Sequence, residues 1–180
     1  YTVTGPAIEE AVREVGGHFA GACFTSGSAG TMGSGDYLKE VFPGSKLAVG
    51  EALQCPTLLN NGFGGHRIEG IGDKHVPWIH NVKNTDMVIA IDDNDSLQLL
   101  RLFNDPMGLD YLVQERGLDS QLAEKLSWLG ISGIANVLCC IKFAQYYELT
   151  ENDVVATVLT DSADMYRSRI SELEEEQGAY

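Results

Sequence analysis

Basic residues are scarce: 12 Lys and Arg stand against 26 Asp and Glu, a formal net charge of −14 in a chain of 180 residues. Proteins that bind nucleic acid or anionic membranes do so with cationic side chains, so this balance argues against both as partners. Long apolar runs are absent as well. The longest are strand-sized or broken by Gly and polar residues, none reads as a spanning segment or signal peptide, and the expected compartment is the cytoplasm. Cysteine is limited to Cys23, Cys55, Cys139 and Cys140, without the paired spacing of a zinc or redox motif. Buried free thiols in a reducing compartment are expected. His66, His75 and His80 stand nine and five residues apart, spacings that fit no compact helical pair, and no Cys or carboxylate completes a set. They read as surface or loop histidines, and no metal site is expected. Asp92-Asp93-Asn94-Asp95 lacks the central Gly and distal Glu of a calcium loop and reads as helix capping.

What is present is an ordinary globular composition, 44% apolar and 21% charged, of single-domain size over residues 1–180. Apolar runs predict strands near His18–Phe24, Leu47–Glu51, Asp86–Ile91 and Asp153–Leu159. Helices are predicted from Pro6 to Val15, up to Phe42, through Phe103, from Pro106, before Trp128, from Ile134 to Tyr147 and from Ala163 onward. Leu53 to Trp78 is rich in Gly, Asn and His and long for a plain connection, so it is a candidate functional loop. Glu172, Glu174, Glu175 and Glu176 read as a solvated helix face. Strands separated by helices predict an α/β fold, a three-layer parallel sheet with helices on both faces and ligands at the carboxyl ends of the strands.

Gly27-Ser28-Ala29-Gly30-Thr31 lies between the first predicted strand and a helix from Met32. Residues this small let backbone N–H groups converge, and a helix starting behind them adds its positive end, which suits a phosphate. The glycine spacing fits neither a dinucleotide fingerprint nor a P-loop. Taken alone, the stretch is equally a glycine-rich turn with no ligand.

Five further segments stand with it. Thr4-Gly5-Pro6 opens the first helix, and Tyr37-Leu38-Lys39 closes the helix behind the loop. Ile68-Glu69-Gly70-Ile71-Gly72 precedes Val76-Pro77, Gly130-Ile131-Ser132-Gly133 precedes a helix, and Thr160-Asp161-Ser162 follows the last strand. In this order they resemble the C-terminal portion of the fold-type-II pyridoxal-phosphate enzymes, the cysteine synthase and cystathionine β-synthase family. The resemblance implies pyridoxal 5′-phosphate as cofactor, its phosphate held by Gly27, Ser28, Ala29, Gly30 and Thr31. Gly70 and Gly72 would let the backbone approach ring and substrate. A serine hydroxyl would meet the pyridine nitrogen; Ser132 is favoured and Ser162 is the second candidate. Alone, Ser132 reads as the N-cap of the helix that follows. The chemistry implied is β-replacement or β-elimination on a small amino-acid substrate, in a homodimer.

The family's Schiff-base lysine motif and substrate-carboxylate loop are missing. Lys39, Lys46, Lys74, Lys83, Lys125 and Lys142 all fall in segments whose family counterparts have other jobs, and Lys39 and Lys46 read as surface residues. The chain opens at Tyr1 in mid-motif without an initiator Met, so the expectation is a fragment lacking the N-terminal half, inactive alone. Threonine synthase-like and diaminopropionate lyase-like reactions share the scaffold, and a non-catalytic α/β anion-binding domain is the alternative.

Overall fold

The computed structural model describes residues 1–178. In chain order the elements are α1 (Thr4–Val15), β1 (His18–Thr25), α2 (Met32–Val41), β2 (Lys46–Ala52), α3 (Thr57–Asn60), β3 (Met87–Ile91), α4 (Asp93–Asn104), α5 (Pro106–Gln114), α6 (Ser120–Leu126), α7 (Ile131–Tyr146), β4 (Asp153–Ala156) and α8 (Arg167–Gln177). Short 3-10 turns lie at Val82–Asn84 and Ala163–Tyr166. The strands pair in parallel in the order β3-β2-β1-β4. Parallel pairing needs a crossover between neighbours, and the helices supply it.

Alternate residues of the strands feed two cores. Cys23 and Ala48 join Ile89 and Ile91 under α7, with Ile131, Ile134, Ala135, Cys139 and Phe143 buried. Ala22, Phe24, Leu47 and Val49 face the other way, against Val12 of α1 and Met32 and Leu38 of α2. Burial on both faces explains why these strands read as continuous apolar runs. Cys23, Cys55 and Cys139 are buried free thiols and Cys140 is half-buried. No helix among the described residues is long and apolar enough to cross a membrane.

The predicted caps hold where a side chain makes them. Asp92 accepts from the Asn94 N–H at 2.7 Å and Asp119 from Gln121 at 3.0 Å; Asp105, not predicted as a cap, accepts from Met107 at 2.8 Å ahead of Pro106. Other expectations need correction. The last strand stops at Ala156 because side chains take over its ladder: Thr157 Oγ1 donates to Cys23 O at 2.7 Å and Asn136 Nδ2 to Val158 O at 2.8 Å. The final helix opens with a 3-10 turn before α8. Within the long loop, α3 forms because the buried Glu51 carboxylate accepts from Leu58 and Leu59 N–H, both at 2.8 Å. His80 is buried, with Nε2 2.9 Å from Thr85 Oγ1, and its burial lowers its pKa. Lys39 is drawn inward as well: Asp86 accepts from the Leu47 N–H at 2.7 Å and pairs with Lys39 Nζ at 2.6 Å and, more loosely, Lys46 Nζ at 3.7 Å.

Asp153 anchors the start of β4. It accepts from the Thr150 N–H at 2.7 Å and Thr150 Oγ1 at 2.9 Å, and lies 2.8 Å from His18 Nδ1 on β1. The Thr150 N–H, then His18, hold its carboxyl down to about 2. A carboxyl depressed by folding stabilises the folded state fully above its unfolded value, near ~3.9, and less as pH falls through its folded one. Asp153→Asn should therefore lower the melting temperature at neutral pH. Melts across pH should show the gap to wild type closing as pH falls from about 4 to about 2.

Candidate functional site

At the carboxyl ends of the strands lies an open cleft of about 270 Å³. One wall is Thr25 and Gly27–Thr31, another is Gly70 and Ile71, and the floor is Ser132 and Asn136 of α7 beside Val158 and Thr160. No lining side chain carries a charge. Thr31 stands at the N-cap of α2 yet makes no side-chain capping bond. In the first turn of α2 the Gly33 N–H donates to Ala29 O at 3.4 Å and the Ser34 N–H to Thr31 O at 3.0 Å, so the main chain that lines the cleft is that of the Gly27–Thr31 loop, set at the positive end of the helix dipole, which is worth roughly 0.3–2 kcal/mol to an anion. Ala29 holds the loop in the left-handed region at φ 62.

The two walls approach closely. A Cβ on Gly27 would come within 3.2 Å of the Gly70 carbonyl, which gives that position a packing reason to be glycine. Gly70 has φ 89, the left-handed region that favours glycine, and a Cβ there would lie 3.9 Å from Ser132 Oγ. Hydroxyl and glycine thus face each other across the cleft.

Ser132 is the second residue of α7, buried, and Gly130 is the N-cap, so the capping reading of Ser132 is corrected: the helix begins three residues earlier than predicted. An acceptor from elsewhere in the chain satisfies that first turn. Asp161 Oδ2 accepts from the Ser132 N–H and Oδ1 from the Gly133 N–H, both at 2.8 Å. Gly72 sits behind the wall, its N–H donating to Ser26 O at 2.8 Å, and is not among the lining residues. Nor is Ser162, whose hydroxyl accepts from the Asp164 N–H at 3.3 Å at the start of the 3-10 turn. Glu69 is turned to α8, accepting from Arg169 Nε at 3.0 Å and Nη2 at 2.7 Å. Asn136, Thr25 and Thr160 were not anticipated. Asn136 lies one helical turn past Ser132, so i,i+4 spacing is the signal that would have found it.

No protein-family model matches the chain. A probable cysteine synthase of Bacillus subtilis is 33% identical over 166 residues, 92% of this chain and 47% of that protein. The chain is similar to the C-terminal portion of the cysteine synthases. Among solved structures, the O-acetylserine-dependent cystathionine β-synthase of Helicobacter pylori is 28% identical with a TM-score of 0.66, covering 90% of this chain and 46% of that one. A hydrogen sulfide-producing enzyme of Fusobacterium nucleatum is 25% identical with a TM-score of 0.72, covering 93% and 45%. The chain thus spans about half the length of the curated relatives it matches. Its parallel sheet between helices is that of fold-type-II pyridoxal-phosphate enzymes.

Phosphate should raise the melting temperature by binding the folded state. A Cβ on Gly30 would meet nothing nearer than Ser28 Oγ at 3.9 Å, so a side chain fits there. Gly30→Glu should abolish the phosphate-dependent rise, while melts without phosphate shift by no more than about 0.5 kcal/mol.

Proposed function

We propose that this chain is the cofactor-phosphate-binding portion of a pyridoxal-phosphate-dependent enzyme of β-replacement or β-elimination, cysteine synthase-like, acting on a small amino acid. The observation that carries this reading is the joining, in one uncharged cleft, of the Gly27–Thr31 main chain ahead of α2 with the Ser132 hydroxyl facing Gly70.

The residues present fit the cofactor in two places. The backbone N–H groups of Gly27–Thr31 and the Thr31 hydroxyl would hold its phosphate, and Ser132 would hydrogen-bond its ring nitrogen. Bound pyridoxal phosphate supplies the electron sink for bond breaking at the amino-acid carbons. A hydroxyl at the ring nitrogen leaves that nitrogen neutral, where a carboxylate would keep it protonated. Asp161, the carboxylate behind Ser132, is engaged by two backbone N–H groups. Gly70 leaves its wall without a side chain, giving ring and substrate backbone to lie against.

No lysine lines the cleft among the described residues. Lys39 and Lys46 pair with Asp86, and Lys142 Nζ donates to Ala90 O at 2.9 Å. On this reading the amine that anchors the cofactor is supplied from outside this chain, and the chain alone would bind without turnover. Homodimerisation in the cytoplasm belongs to the same proposal; Phe63, Trp78 and Ile79, left exposed in the long loop, support a protein contact there.

The test is the full-length protein with pyridoxal phosphate, read by visible absorbance and turnover. Ser132→Ala should keep phosphate binding, shift the absorbance and lower turnover about ten- to a hundredfold, the effect of losing one hydrogen bond of ~1–3 kcal/mol in a dry site. Ser162→Ala should do less. Phosphate binding with no visible absorbance would favour a non-catalytic anion-binding domain.

A further inference from the structure

The α7 N-terminus is the second helix end at the cleft, and unlike that of α2 it is capped by a side chain. Its donors are already taken, by Asp161 from the segment that follows β4: Oδ2 accepts from Ser132 and Oδ1 from Gly133. The same turn is tied by backbone, with the Gly130 N–H donating to Asp161 O and the Ala163 N–H to Trp128 O, both at 3.3 Å. Two small residues make room for the carboxylate. A Cβ on Gly130 would overlap it, and one on Gly133 would lie 3.2 Å from Oδ1 and 3.5 Å from Leu159 Cδ2. The room that the two glycines leave is filled by the Asp161 carboxylate. On its other side lies buried Tyr166, whose hydroxyl burial and the Asp161 charge keep protonated.

A carboxylate seated on two first-turn N–H groups fixes the φ and ψ of the residues that carry them and offsets the positive end of the helix. One of those residues is Ser132. We propose that Asp161 is a positioning residue: by capping α7 it sets the direction of the Ser132 hydroxyl in the cleft. Asp161 itself does not line the cleft, so it acts through Ser132. This rests on the functional reading above, in which Ser132 meets the cofactor ring.

The experiment is a double-mutant cycle in the full-length protein with pyridoxal phosphate, using Asp161→Asn, Ser132→Ala and the pair. Asp161→Asn keeps the side-chain size and one acceptor, and phosphate protection at the Gly27 loop reports that the variant is folded. If Asp161 acts through Ser132, Asp161→Asn shifts the bound-cofactor absorbance and lowers turnover by about tenfold in the Ser132 background and by nothing further in the Ser132→Ala background. A cap that only stabilises the fold would give equal losses in both backgrounds, which overturns the proposal. Hydrogen exchange without cofactor supplies an independent reading: the Ser132 and Gly133 amides should lose about tenfold protection in Asp161→Asn while those of α2 are unchanged. Unchanged Ser132 and Gly133 exchange also overturns it. Failure of the wild type to develop cofactor absorbance would sink the functional reading and this inference together. An absorbance shift with Ser132→Ala but none with Asp161→Asn sinks this inference alone.

Discussion

One buried amide holds the cleft open. Asn136 accepts from the Thr25 N–H at 2.9 Å through Oδ1 and donates to Val158 O at 2.8 Å through Nδ2. Those are the last backbone donor of β1 and a carbonyl just past β4, the point at which the two strands stop pairing. Unbridged, both groups would be left without a protein partner, and orphaned buried polar groups cost about 1–3 kcal/mol each. With Asn136 between them, the chains diverge at a fixed distance and leave a space lined by Thr25, Val158 and Thr160. The space is thus a by-product of satisfying backbone hydrogen bonds by a side chain rather than by a ladder.

The phosphate recognition proposed for this cleft is made of main chain. No cation lines the cleft, and with 26 acidic against 12 basic residues the molecule as a whole repels anions. For the proposed phosphate to bind, local dipoles at the α2 N-terminus have to outweigh a distributed negative field, and that field is screened within about 8–10 Å in physiological salt.

The legibility of this architecture followed from how local each cause was. Strand cores such as Met87–Ile91 and caps such as Asp92 and Asp119 depend on neighbours in sequence and were readable. So was the place of the glycine-rich loop between β1 and α2, where its small residues line the cleft. The start of α7 at Ile131 was not readable, because its capping oxygen comes from Asp161, 29 residues away from Ser132 in sequence. The early end of β4 depends on Asn136 and Thr157 reaching their partners across the fold, and the inward pull on Lys39 depends on Asp86 arriving with β3. Long-range partners of single side chains are what local pattern does not encode.

The Glu69–Arg169 contact ties the Gly70 wall to α8 by charge, and both side chains are partly exposed, at 41% and 33%. The opposite wall, at Gly27–Thr31, rests on the packing of Ala29 and Met32 in the apolar core. Added salt weakens exposed ion pairs and leaves apolar packing intact or strengthened. Ionic strength therefore acts on the Gly70 wall only through this one pair, while the buried Ile68 and Ile71 on either side of Gly70 pack that wall into the apolar core as well.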